Sequence, residues 1–175
     1  MPAKVDFSTL TLMDTLDLAS LIEVEAFDRY TLFARQIGLG FSSNAGSVFQ
    51  SMAENERKHG DQLAARRRTL AGEAPGRNRL DNFSEVEAPG GGAPRHNMSE
   101  LKAYQVALQA EKKAFAFYDR ALRNVKDPEV KALFEELREE EAEHVRMIEE
   151  IIAKLPPSAK VDVEDEDDTS MRMGY

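Results

Sequence analysis

Four stretches of this chain repeat apolar residues every three or four positions, and each apolar stripe is broken once by a glutamate. The 3.6-residue period marks amphipathic helices. The first runs over about 11–38, with Leu12, Leu16, Ala19, Ala26, Tyr30, Phe33 and Ile37 on one side, and Gly38 and Gly40 suit its end. The second runs over about 45–71, after Ser42, Ser43 and Asn44 and before Gly72, on Val48 or Phe49, Met52, Leu63 and Leu70. The third opens near Asn97, which with Glu100 reads as a capping box, and carries Leu101, Tyr104, Leu108, Phe115, Tyr118 and Leu122. The fourth starts at Asp127 and Pro128, a cap followed by a first-turn proline, and carries Val130, Leu133, Leu137, Ile148, Ile151 or Ile152, and Leu155. Pro156 and Pro157 close it.

The connections after the first and third helices are short, whereas about 25 residues rich in Gly and Pro separate the second from the third. Two antiparallel hairpins joined by one long crossover, over about 72–96, is the arrangement this spacing predicts: an all-α, antiparallel four-helix bundle spanning 11–155. Leu80, Phe83 and Val86 are expected to pin the crossover to the bundle. Residues 1–10 read as a lead, and 156–175 as a disordered acidic tail.

Charge and composition narrow the functions open to such a bundle. Net charge is −9, and the tail beyond Leu155, with six acidic and two basic residues, holds −4 of it. An acidic body repels phosphates, so nucleic acid is not an expected partner. Arg66, Arg67 and Arg68 read as a solvated helix end, where cations suit the helix dipole. Cysteine is absent, which excludes thiolate catalysis, iron–sulfur clusters and cysteine-held zinc. No signal-like or membrane-spanning stretch is visible, so the expected location is the cytoplasm, with no membrane partner.

The glutamates in the stripes carry the chemistry. Glu23 falls between Ala19 and Ala26, and Glu111 between Leu108 and Phe115. Glu56 falls between Met52 and Leu63 with His59 one turn on, and Glu141 between Leu137 and Ile148 with His144 one turn on. Neighbouring acids such as Glu25 and Glu54 align instead with polar positions. Four carboxylates and two imidazoles thus point into the core. Buried together without cations they would repel one another and take up protons. No Lys or Arg shares their stripes at that level, and two divalent ions would balance four carboxylates. Neutralising Glu56 or Glu141 is then expected to relieve repulsion when no metal is present. The pattern also occurs twice: Glu23 precedes Tyr30 by seven residues as Glu111 precedes Tyr118, and each pair is followed by a helix with Glu-x-x-His.

One Glu from each of two helices and Glu-x-x-His from each of two others is the ligand set of ferritin-like di-iron and di-manganese proteins. Over about 11–155 the chain resembles their rubrerythrin-like branch, on Glu23-Val-Glu-Ala-Phe-Asp-Arg-Tyr30, Glu56-Arg-Lys-His59, Glu111-Lys-Lys-Ala-Phe-Ala-Phe-Tyr118 and Glu141-Ala-Glu-His144. The resemblance implies two iron ions, with manganese the alternative and zinc a crystallisation substitute. It implies Glu56 and Glu141 as bridging ligands, Glu23 and Glu111 as terminal ones, and His59 and His144 on one metal each. It further implies a di-iron oxidoreductase acting on hydrogen peroxide or dioxygen. The alternatives are a ferroxidase or iron-storage role, or a bundle that has lost its metal.

Two departures bear on this. Rubrerythrins proper carry a four-cysteine iron centre, which this chain lacks, so electrons are expected from an external donor protein. They also carry a further Glu three positions after the one at Glu111, where this chain has Ala114. A homodimer is the expected assembly. Tyr30 and Tyr118, two turns from the stripe glutamates, suit either core packing or hydrogen bonds that orient a ligand carboxylate of the facing half. His96, in the crossover, reads as a surface histidine.

Overall fold

The computed structural model describes residues 11–38, 45–72 and 98–160. Four long helices make up these segments: α1 (Leu12–Gly38), α2 (Ala45–Ala71), α3 (Glu100–Ala121) and α4 (Pro128–Lys154), followed by a single 3-10 turn at Pro157–Lys160. The expected all-α bundle is what the chain forms. The lead, the crossover with Leu80, Phe83, Val86 and His96, the residues 39–44, Asn97, and the tail from 161 onward lie outside the described residues.

Local chemistry sets the helix limits. Thr11 and Asp14 cap α1 reciprocally: the Asp14 amide donates to Thr11 Oγ1 (3.1 Å) and the Thr11 amide to Asp14 Oδ2 (2.9 Å). Gly72 ends α2 with φ of 63°, a left-handed conformation that glycine adopts without a Cβ clash. The cap of α3 is Ser99, which accepts from the Lys102 amide at 3.3 Å, rather than the predicted Asn97. Asp127 caps α4 as expected, accepting from the amides of Glu129 (3.1 Å) and Val130 (3.0 Å). The first residues beyond α4 are ordered by a 3-10 turn whose Ala159 is buried.

Pairings along the helices give their directions. Between α1 and α2, Phe33 meets Phe49, Glu23 meets His59 and Asp17 meets Arg67, so the two are antiparallel. Between α3 and α4, Lys112 meets Glu149, Glu111 meets His144 and Asp119 meets Arg138. Tyr30 with Glu111 and Tyr118 with Glu23 set α1 antiparallel to α3. His59 with Glu140 and Arg66 with Glu129 do the same for α2 and α4. Hence α2 and α3 run in the same direction, and the end of one lies across the bundle's length from the start of the other. Only a long connection can join helices so placed.

The core divides into two apolar clusters, each drawing on all four helices. One holds Leu16, Ala19, Leu63, Phe117, Tyr118, Phe134 and Leu137. The other holds Tyr30, Phe33, Phe49, Met52, Tyr104 and Ile148. The stripe glutamates sit between them. Two expectations change. Leu70 is 37% exposed, because α2 there has run past the cluster that covers Leu63. Arg66 and Arg67 are not a solvated end: Arg66 pairs with Asp127 and Glu129 at the start of α4, and Arg67 with Asp17 of α1, because helices flank α2 on both sides. These pairs tie α2 to both neighbours.

Candidate metal centre

Between the two apolar clusters Glu23, Glu56, His59, Glu111, Glu141 and His144 come together, all buried. Glu23 and Glu111 come from α1 and α3, and the Glu and His of α2 and α4 stand one turn apart facing them. The repeat in the sequence appears here as an approximate two-fold relation between the α1–α2 and α3–α4 hairpins. Gly60 of α2 faces α1 at this level: a Cβ there would stand 3.8 Å from Glu23 Cβ, an ordinary contact.

Both imidazoles turn Nδ1 inward. His59 Nδ1 lies 3.2 Å from Glu23 Oε2 and 3.2 Å from Glu56 Oε2. His144 Nδ1 lies 3.1 Å from Glu111 Oε2, 3.4 Å from Glu56 Oε1 and 3.8 Å from Glu141 Oε2. The two oxygens of Glu56 therefore face different histidines. The two rings are nearly parallel, 6.4 Å between centroids. Two sets of oxygens and nitrogens lie close enough to hold an ion each: Glu23, Glu56, His59 and Glu141, and Glu56, Glu111 and His144, every atom of a set within 4.8 Å of the others. Glu56 belongs to both sets. Glu141 joins the first set and approaches His144 of the second.

Both Glu56 oxygens and Glu141 Oε2 are buried without a hydrogen-bond partner. A buried carboxylate oxygen with no donor costs on the order of 1–3 kcal/mol or more. Hard cations are the partners these oxygens lack, so the donor set fits a pair of metal ions. Each remaining carboxylate is oriented from the opposite hairpin: the Tyr30 hydroxyl donates to Glu111 Oε1 and the Tyr118 hydroxyl to Glu23 Oε1. Both tyrosines are also fully buried in the apolar clusters, so each packs and orients at once.

Without metal the cluster neutralises itself. Burial pushes the Glu23 carboxyl up to about 8, against the hydrogen bond from His59. Burial and the neighbouring Glu111 raise Glu141 well above the carboxylate range. Burial opposes charge on His59, but Glu23 and Glu56 outweigh it and lift its pKa to about 10. His144 rises likewise, burial being outweighed by Glu111 and Glu56. Glu56 goes the other way: despite burial, the two imidazolium groups hold it ionised. Burial and the charge of Glu23 keep the Tyr118 phenol protonated and hence a donor.

Three neighbours were not marked by the sequence pattern. Glu140, next to Glu141 in a run of acids, reaches from α4 to Nε2 of His59. Arg29 and Lys113 line a cavity of about 20 Å³ between α1 and α3, together with Glu23, Glu56, Glu111, Glu141 and Ala114. Arg29 falls on the outer stripe with Glu25, yet its length carries the guanidinium within electrostatic reach of Glu111 and Glu56. Burial lowers its pKa and those carboxylates oppose the shift. The signal for Glu140 was its place one residue before Glu141, which turns it toward the adjacent helix.

A profile of the ferritin-like domain family matches residues 32–157, and the chain belongs to that family. The match takes in Glu56, His59, Glu111, Glu141 and His144, while Glu23 precedes it. The crystal structure of an uncharacterized conserved protein from Magnetospirillum magnetotacticum MS-1 is similar, at 31% identity and a TM-score of 0.70, covering 84% of this chain and 97% of that one. No curated protein matches. Among the described residues no helix is long and apolar enough to cross a membrane.

Proposed function

We propose that the chain is a di-iron oxidoreductase of the rubrerythrin-like branch, holding two iron ions between Glu23, Glu56, His59, Glu111, Glu141 and His144. The observation that carries this reading is Glu56, whose two buried oxygens each face a different histidine and make no well-formed hydrogen bond. A carboxylate so placed would serve a cation on either side. Glu23 and Glu111 each complete one half, and Glu141 lies across from Glu56. Bound iron supplies the electrons that reduce hydrogen peroxide or dioxygen.

The protein's own groups shape the rest. The cavity of about 20 Å³ beside the four carboxylates has room for one water-sized molecule, a size that suits peroxide or dioxygen. Ala114 lines it where rubrerythrins carry another carboxylate, leaving that wall uncharged. Arg29, Lys113 and Glu25 also line it, so charges of both signs stand beside the carboxylates. Tyr118 and Tyr30 donate to Glu23 and Glu111 and would hold these carboxylates in place around the ions. The electrons return from an external donor protein, since the chain has no cysteine cluster of its own. A homodimer and a cytoplasmic location are proposed together with this reading.

Metal analysis of protein from its native host, followed by mixing of the anaerobically reduced form with peroxide and with dioxygen, tests the reading. Two irons per chain and faster oxidation by peroxide are expected. Faster reaction with dioxygen, with mineral growing beyond two irons per chain, would establish iron storage instead. Manganese in the native protein would replace iron in the assignment.

A further inference from the structure

The two histidines differ on their outward sides. His59 Nε2 meets the carboxylate of Glu140, which reaches across from α4. His144 pairs through Nδ1, and among the described residues no carboxylate pairs with its Nε2. The internal repeat explains the difference. Glu56 and His59 correspond to Glu141 and His144, so the residue matching Glu140 is Asn55. Asn55 lines the same open cavity as His59, His144 and Glu140. One half of the centre thus has a carboxylate against the outer nitrogen of its imidazole, whereas the matching position of the other half carries an amide residue lining the same cavity.

We propose that the two metal positions are unequal, the one served by His59 binding more tightly, because Glu140 orients that ring through Nε2–H while Asn55 stands in its place beside His144. The inference rests on the metal-centre reading above. A carboxylate accepting from the far nitrogen fixes the tautomer, so that Nδ1 carries the lone pair toward the metal. It also makes that nitrogen a stronger donor, and loss of such a partner costs about 10–100-fold in metal affinity. An amide oxygen can accept the same hydrogen bond but brings no charge. Glu140 is a positioning residue: its contact is with the ligand, not with the metal. The first ion to load occupies the Glu23–His59 half, and Glu56 then offers its second oxygen to the other.

Calorimetric titration of metal-free protein with Co2+, followed in parallel by the visible absorption of bound cobalt, reads both steps. Wild type is expected to bind two ions in resolved steps. Glu140→Ala is expected to weaken the first step about 10–100-fold and leave the second in place, with Glu140→Gln in between. Asn55→Glu is expected to tighten the second step, and this variant gains a contact, so a folding defect cannot imitate the result. Two steps untouched by either substitution would overturn the inequality while keeping the metal centre. Failure of wild type to bind two ions would overturn the centre itself, and the inequality with it.

Discussion

The Tyr118 hydroxyl in α3 donates to Oε1 of Glu23 in α1, ninety-five residues earlier in the chain. Tyr30 returns the same bond to Glu111, so each hairpin orients the terminal carboxylate of the other. Tyr118→Phe would keep the ring packed against Phe117 and Phe134 and remove only the donor. Metal affinity should fall about 10-fold or more, and metal-free stability by about 1–2 kcal/mol. Urea unfolding and cobalt titration of Tyr118→Phe and Tyr30→Phe measure both. Unchanged metal affinity would reduce the tyrosines to core packing.

Glu23 and His59 both have raised folded-state pKa values, from 4.5 to about 8 and from 6.5 to about 10. The metal-free fold keeps these protons where the unfolded chain releases them. Their stabilisation is complete below the unfolded values and is lost as pH rises, over 4.5–8 for Glu23 and 6.5–10 for His59. The melting temperature of metal-free protein should therefore fall between pH 5 and pH 9. With metal present the trend should reverse, since protons compete with the ions for the same atoms. Circular dichroism melts with chelator and with Mn2+ compare the two. A metal-free melting temperature that rises across this range would contradict the charge pattern described.

Glu56 and Glu141 were expected to respond alike to neutralisation, and the structure separates them. Glu141 is held protonated, so Glu141→Gln should change metal-free stability by under about 0.5 kcal/mol. Glu56 is ionised between two imidazolium groups. Glu56→Gln should lower metal-free stability by about 1–3 kcal/mol. Both should weaken metal binding, Glu56→Gln at both positions and Glu141→Gln chiefly at the Glu23–His59 position. Chemical denaturation of the two variants under chelation is the comparison, and equal values would refute it.

Gly60 lies inside α2, where glycine costs up to about 1 kcal/mol relative to alanine. A Cβ there meets Glu23 Cβ at 3.8 Å, an ordinary contact. Gly60→Ala should raise stability by about 0.5–1 kcal/mol and leave metal stoichiometry at two. A loss of stability would show that α1 and α2 tolerate no added volume at this level.

The helices and the six inward groups were legible because helical periodicity and the apolar stripes encode which face is buried. Asp127 and Pro128 announced the start of α4 through local chemistry. What stayed hidden depended on the partner helix. Glu140 looks like one more acid of an exposed run until α2 brings His59 beside it. Arg66 and Arg67 look like a solvated end until Glu129 and Asp17 arrive on either side. Phe117 and Phe134 pack together because α3 and α4 face one another, and neither stood on the stripe read from its own helix. One-helix patterns report burial, and pairings need the neighbouring surface.

The apolar clusters above and below the carboxylates each join all four helices, so the bundle is closed at both ends of the site whether or not ions are present. In the metal-free fold the site holds protons on Glu23, Glu141 and the two histidines, and a cation taken up there would displace them. Loading then becomes an exchange through the side of the bundle, and an open hollow of about 320 Å³ between α2 and α4, rimmed by Glu140 and Glu143, leads from solvent to the two histidines. An ion entering by that hollow would meet the two imidazole edges before it reached the carboxylates.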